Sequence, residues 1–411
     1  MSNSVPDGWQ YNFIGDIATV FAGGTPSRAN TEYYVGSNPW VKSGEVNARQ
    51  IFNTEEHISD LAIIESSAKW AKAGSVLVAM YGATAGQVAK LMIDATLNQA
   101  VSAINGKDDL AHNDYLLYSI EYNTDELLNT VQGSGQPNLS GQLIKSLKIP
   151  LPPLPEQKKI AAILTSVDTV IEKTQAQIDK LKDLKTGMMQ ELLTKGIGHT
   201  EFKDSPVGRI PVEWEVATLG ESFSLLSGST PSRKDMTYFS SDQNAIPWVK
   251  TLDLNDEMIK STDEKITERA IKNSSCKKLP IGTALIAMYG GWNQIGRSGV
   301  LSIEATTNQA ICALKFKGNV LGTFANYWLI SNRMRWKTIA ASSRKDPNIT
   351  KQDVSDFLIA IPSLKEQESI IDRLDSATHI INLKCNKLIS LKKIKKALMQ
   401  DLLTGKVRVK L

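Results

Sequence analysis

Cysteine is scarce: three residues in 411, Cys276, Cys312 and Cys385, spaced far apart. That excludes a disulfide framework and suits a reducing compartment. The four histidines (His57, His112, His199, His379) show no ligand spacing, so a His/Cys metal centre is not expected. No run of about 18 apolar residues exists, which argues against a membrane span. The opening MSNSVPDGWQ lacks the basic and apolar segments of a signal peptide, and a cytoplasmic location is expected. No Walker A pattern occurs, so ATP hydrolysis by this chain is not expected. Positive charge is short where a solitary DNA clamp would need it. Residues 1–150 hold 9 Lys+Arg against 15 Asp+Glu, although the whole chain is +4. Phosphate contact dominates DNA affinity, so a nucleic-acid role would need partners to supply further positive charge.

What is present is a soluble-protein composition, 42% hydrophobic and 22% charged, in a chain long enough for more than one core. It is also written twice. Val5-Pro6-x-x-Trp9 returns as Ile210-Pro211-x-x-Trp214, and Thr25-Pro26-Ser27-Arg28 as Thr230-Pro231-Ser232-Arg233. Pro39-Trp40-Val41-Lys42 returns as Pro247-Trp248-Val249-Lys250, and Ala79-Met80-Tyr81-Gly82 as Ala287-Met288-Tyr289-Gly290. Asn98-Gln99-Ala100 and Asn308-Gln309-Ala310 follow in the same order. The offset drifts only from 205 to 210, far too long for a solenoid period. A duplicated unit with pseudo-two-fold potential is implied.

Each copy has two parts, giving expected boundaries at 1–150, 151–199, 200–362 and 363–411. The first part is a mixed α+β globule, with buried strands at 75–81 and 283–289 and short helices at 114–119 and 323–330. Phe21-Ala22-Gly23-Gly24 reads as a turn. A Pro-rich hinge leads into a long helix. From Glu156 to Leu193 there is no proline, and 38 residues span roughly 57 Å. Heptad positions fall at Ile160, Leu164, Val167, Ile171, Thr174, Ile178, Leu181, Lys185, Met188 and Leu192. In the second copy they fall at Ile370, Leu374, Ala377, Ile381, Lys384, Leu388, Leu391, Lys395, Leu398 and Leu402. Such a seam seeks a partner helix, and the chain supplies one. Parallel pairing would bury Lys185 against Lys395. An antiparallel pair sets Lys185 against Ala377, Lys395 against Val167 and Lys384 against Ile178, leaving each lysine free to snorkel. Two globules at opposite ends of a rod are therefore expected.

Two globules, each followed by a helix that opens Leu151-Pro152-Pro153-Leu154-Pro155-Glu156-Gln157 and closes Met189-Gln190-Glu191-Leu192-Leu193-Thr194, resemble the specificity (S) subunit of type I restriction–modification systems. The second copies are Ile361-Pro362-Ser363-Leu364-Lys365-Glu366-Gln367 and Met399-Gln400-Asp401-Leu402-Leu403-Thr404. The G-x-T-P-S and Asn98-Gln99-Ala100 motifs are shared too, and the resemblance covers essentially the whole chain. It implies two target recognition domains that each read half of a split double-stranded DNA sequence, with the helices as spacer. It implies two modification (M) subunits using S-adenosylmethionine to methylate adenine, and restriction (R) subunits using ATP and magnesium. The S subunit itself holds no cofactor or metal and performs no chemistry. One DNA turn is about 34–36 Å, which a rod of roughly 57 Å can bridge.

Base reading needs Arg, Lys, Asn, Gln, Ser or Thr on loops that reach a groove. Three loops per globule qualify. One carries Ser27 and Arg28, then Ser232, Arg233 and Lys234. The next carries Tyr81, Thr84 and Gln87, then Tyr289, Trp292, Asn293, Gln294 and Arg297. The third carries Ser134, Gln136 and Asn138, then Ser343, Arg344, Lys345 and Asn348. Lys42 and Lys250 are candidate phosphate contacts. Residues unchanged between copies, such as Tyr81/Tyr289 and Asn98/Asn308, suit a structural role, because base readers should differ. The half-sites should differ, because the globules differ in charge and because Thr84-Ala85-Gly86-Gln87 is replaced by Trp292-Asn293-Gln294-Ile295; Gln87, Asn293, Arg297 and Arg344 are the better base-reading candidates. Asn38-Pro39-Trp40 is a faint echo of an adenine-methyltransferase N-P-P-aromatic motif, but its repeat loses the Asn and no cofactor loop accompanies it. The rival reading is a duplicated coiled-coil scaffold that binds other proteins, which the acidic first globule mildly favours.

Overall fold

The computed structural model describes residues 5–129, 138–340 and 348–410. The chain forms two compact units, residues 1–176 with 385–411, and residues 177–384. Ser134, Gln136, Ser343, Arg344 and Lys345 lie outside the described residues. The two long helices, Leu154–Lys195 and Leu364–Leu403, each contribute to both units.

In unit one, a five-stranded sheet runs in the order Ala18–Ala22, Val101–Gly106, Val76–Ala79, Val88–Leu91 and Gln50–Ile51. A four-stranded sheet runs Glu56–Ile58, Asn38–Val41, Ala95–Leu97 and Lys69–Ala71. Val76–Ala79 is buried on both faces, as its unbroken apolar run requires. One face of the larger sheet packs with helix Asn113–Tyr122 and with Ile160, Leu164, Met399, Leu402 and Leu403 of the long helices. The other face packs with Val41, Leu97 and Val46.

Unit two repeats this plan. Its five-stranded sheet is Phe223–Ser227, Ile311–Phe316, Ala284–Ala287, Ser298–Leu301 and Met258–Ile259; its smaller sheet is Glu264–Ile266, Ile246–Val249 and Thr306–Thr307. A hairpin, Phe202–Ser205 with Gly208–Pro211, precedes it.

The recurring motifs are the joints of this plan. Gln157 is fully buried; its amide donates to the Leu110 and Pro152 carbonyls and its Oε1 accepts from His112 N–H. Gln367 does the same to Asn319, Pro362 and Leu321. Glu156 accepts from the Trp9 indole and from Arg408, while Glu366 accepts from the Trp214 indole and lies 2.9 Å from His199. Each Trp, Glu and Gln therefore pins a long helix to its globule.

Within each unit the helices run antiparallel. Asp168 meets Lys395 in unit one, and Gln177 meets Lys384 in unit two, each within one residue of the symmetric register. Ile160, Leu164, Ile178, Ile370, Leu374 and Ile381 are buried, and Val167, Ile171, Leu181, Ala377, Leu388 and Leu391 are half-buried. Two of the three seam lysines behave otherwise than expected. Lys395 does not snorkel but is held by Glu121 and Asp168, with its side chain 14% exposed. Lys185 stands 5.6 Å from the Tyr327 ring centroid, and burial pushes its pKa down against the pull of Glu257, Asp375 and Asp256. Sequence periodicity places a lysine on a seam but not the carboxylates that the globule brings to it.

Candidate nucleic-acid interface

Strand order decides which loops meet. In the larger sheet of unit one, Val101–Gly106 lies antiparallel between Ala18–Ala22 and Val76–Ala79. The chain leaving Ala22, entering Val101 and leaving Ala79 therefore shares one edge. Gly23 N–H donates to Val101 O and Met80 N–H to Ala100 O, while Leu139 N–H donates to Met80 O and Tyr81 bridges Asn138. In unit two, Met288 N–H donates to Ala310 O and Ile349 N–H to Met288 O. The three candidate loops, so far as they are described, thus converge on one edge of each sheet.

The invariant residues build this edge. Gly23 is pressed against the strand end: a Cβ there would lie 2.0 Å from Leu97 O, and at Gly228 one would lie 2.1 Å from Asn308 O. The Thr25 hydroxyl donates to Gln99 Oε1, and Thr230 to Gln309. Asn98 and Asn308 accept from their own Ala100 and Ala310 N–H groups, and so shape the turn. Arg28 lies 4.1 Å from the Tyr34 ring centroid and pairs with Glu56 at 2.7 Å. Arg233 lies 4.5 Å from the Phe239 ring centroid and pairs with Glu264 at 2.7 Å. Lys42 and Lys250 reach the same carboxylates at 3.0 and 2.7 Å. Lys42 and Arg28 hold Glu56 below the ordinary carboxylate range, and Arg233 and Lys250 do so for Glu264. In unit two Glu264 alone answers half of the charge of Arg233 and Lys250, whereas in unit one Lys42 also pairs with Glu55 at 3.1 Å, so two carboxylates answer Arg28 and Lys42.

The other loop candidates, recurring and variable alike, stand outside these ion-pair clusters. Ser27, Tyr81, Gln87 and Asn138 are exposed, as are Ser232, Lys234, Tyr289, Trp292, Asn293 and Asn348. Thr84, Gln294 and Arg297 are half-buried. The backbone corrects the pairing of the second loops. Gly86 N–H donates to Ala79 O, and Ala79 N–H to Gln87 O. Gly296 and Arg297 make the same two bonds with Ala287. The counterpart of Gln87 is therefore Arg297, not Ile295, because the second loop is two residues longer.

Asn38-Pro39-Trp40 lies in a strand, with Trp40 2% exposed and the Asn38 amide on Asp60. Among the described residues no His/Cys/Asp/Glu group could hold a metal ion, and no helix is long and apolar enough to cross a membrane.

The sequence profile of the type I restriction modification DNA specificity domain matches residues 6–183 and again 211–393. The chain belongs to this family. Two matches, one per copy, agree with the duplicated globules. The type I restriction enzyme MjaVIII specificity subunit of Methanocaldococcus jannaschii is 28% identical over 417 residues, covering 99% of this chain and 94% of that protein. The EcoR124I/EcoR124II specificity subunit of Escherichia coli is 26% identical over 243 residues, 58% of this chain and 57% of its own length. Two solved folds are similar along nearly their whole length. One is the S subunit from M. genitalium, with TM-score 0.61 and 15% identity, covering 98% of this chain and 97% of that one. The other is a chain from a study of complex assembly in the type I R-M system. Its TM-score is 0.62 at 18% identity, covering 98% of this chain and 100% of that one. Specificity subunits of this family are non-catalytic.

Proposed function

We propose that each globule reads one half of a split double-stranded DNA target through the converging loops at its sheet edge. The observation that carries this reading is the equivalence of Gln87 and Arg297. One backbone position, closed by the same two hydrogen bonds, presents an amide in one globule and a guanidinium in the other. Gln pairs with adenine edges and Arg with guanine edges, so two unlike half-sites follow. Tyr81, Thr84 and Asn138 join Gln87 on the first edge. Tyr289, Trp292, Asn293, Gln294 and Asn348 join Arg297 on the second. Ser27, Arg28 and Lys42, with Arg233, Lys234 and Lys250, serve the phosphates.

The helix pair sets the gap and docks two M subunits. Support comes from exposed apolar residues at repeat-equivalent positions: Val170 (41% exposed) and Ile380 (46%), and Leu184 (63%) and Ile394 (50%). Positions repeated at one offset suit two copies of one partner. S-adenosylmethionine would be bound by those M subunits, and ATP and magnesium by R subunits where they join. This chain supplies recognition only, in the cytoplasm.

Methylation mapping tests the reading. The chain is co-expressed with its M subunit in a methylation-free host, and modified adenines are located by sequencing. A split motif with two unlike halves and one gap is expected. A stable complex whose M subunit is active, yet with no motif, overturns it in favour of a scaffold that binds proteins alone.

A further inference from the structure

We propose that a closed ring of four charges in unit one, Arg49, Glu121, Asp168 and Lys395, fixes the seat of the first globule on its helices and so holds the half-site gap to a single length. This rests on the DNA-reading function proposed above. Arg49 reaches Glu121 and Asp168 at 2.8 Å each, and Lys395 reaches the same two carboxylates at 2.8 Å each. Every cation therefore touches both anions. The four side chains are 21%, 31%, 12% and 14% exposed in the order named above, so solvent screens them little. Tyr118 forms the floor, with its ring centroid 4.9 Å from the Arg49 guanidinium and 5.5 Å from Lys395 Nζ. Its hydroxyl donates to Asp168 at 2.9 Å.

The ring joins three bodies. Arg49 and Glu121 belong to the globule, Asp168 to the first long helix and Lys395 to the second. Apolar packing beside it is non-directional and tolerates small slides. Two of the contacts, Arg49 to Asp168 and Lys395 to Glu121, are charge-assisted hydrogen bonds, which are short and directional. The other two close the ring as ion pairs, and a buried charge left unpaired is costly, so the closed ring favours one seat. The fold itself does not require it. In unit two the equivalents of Arg49, Glu121 and Asp168 are Glu257, Ile330 and Thr378, and only Lys185 corresponds to Lys395. The Tyr327 hydroxyl there pairs instead with Asp375, and among the described residues no such ring closes. Unit two builds the same joint without it, so the ring adds a positional constraint to an architecture already stable.

The test uses the full chain with its M subunit on a library of sites that differ only in gap. Asp168→Asn and Arg49→Met are compared with Ile17→Ala, a core change in the same globule, and with Asp168→Glu, which restores the charge. In the two ring variants, methylation at gaps one base pair longer or shorter is expected to rise about tenfold, the ratio that about 1.4 kcal/mol produces. Half-site sequences should stay unchanged, and Ile17→Ala and Asp168→Glu should keep one gap. A single gap retained in both ring variants, or equal broadening in Ile17→Ala, overturns the ring's positioning role. A wild-type chain that yields no split motif overturns the reading of function instead.

Discussion

Gln87 and Arg297 share one backbone position in two globules, which makes them a matched experiment. A bidentate side chain contributes about 1–3 kcal/mol to discrimination against a wrong base. Gln87→Ala should therefore relax one position of the first half-site by about tenfold to a hundredfold, and Arg297→Ala one position of the second. Methylation of randomised targets reads both; relaxation in the wrong half, or in neither, would remove these residues from base reading. Their equivalence was not legible in the sequence. Counting residues from the preceding motif pairs Gln87 with Ile295, and only the bonds of Gly86 and Gly296 show where the longer loop rejoins. The structural part assigned to Asn98 and Asn308 was legible, because a residue repeated in two globules of different charge is poorly suited to telling bases apart. Arg28 and Arg233 recur for a comparable reason. Each stacks on an aromatic ring and pairs with a carboxylate, contacts formed across the fold that no spacing rule announces.

At the scale of elements, the long helices and their antiparallel direction could be read from heptads and from the charge clash of the alternative. How they are fastened could not. Gln157 and Gln367 looked like parts of a family signature, and the structure makes them staples. Gln157→Ala would leave His112 N–H and the Leu110 and Pro152 carbonyls without partners in a buried place. At about 1–3 kcal/mol for an unsatisfied buried group, with water recovering some of them, a loss near 3 kcal/mol is expected. A urea titration of the wild-type and variant chains measures it. A midpoint unchanged by Gln157→Ala would mean that the apolar contacts of Ile160 and Leu164 suffice to hold the helix start. The shared sheet edge was likewise invisible beforehand, since strands that neighbour in space here are not neighbours in sequence.

For the whole molecule, the repeat and the two-globule plan followed from ordered motifs alone. The division at 176/177 and 384/385 did not, because it cuts both helices where no composition changes. If the globules read independently, replacing residues 1–150 with the equivalent part of another family member should change one half of the target and leave the other intact, as methylation mapping would reveal. A change in both halves would mean that readout is not separable. The division also bears on biosynthesis. Unit two is one continuous stretch, whereas unit one needs residues 385–411 to complete the packing begun by residues 1–176. Those two pieces are separated by 208 residues of translation. At roughly 5–20 residues per second, the first globule waits about 10–40 seconds on the ribosome for the helix that covers Ile160 and Leu164. Residues 1–176 thus precede the segment that completes their packing, and until it arrives the apolar face carrying Ile160 and Leu164 lacks the cover of Met399, Leu402 and Leu403.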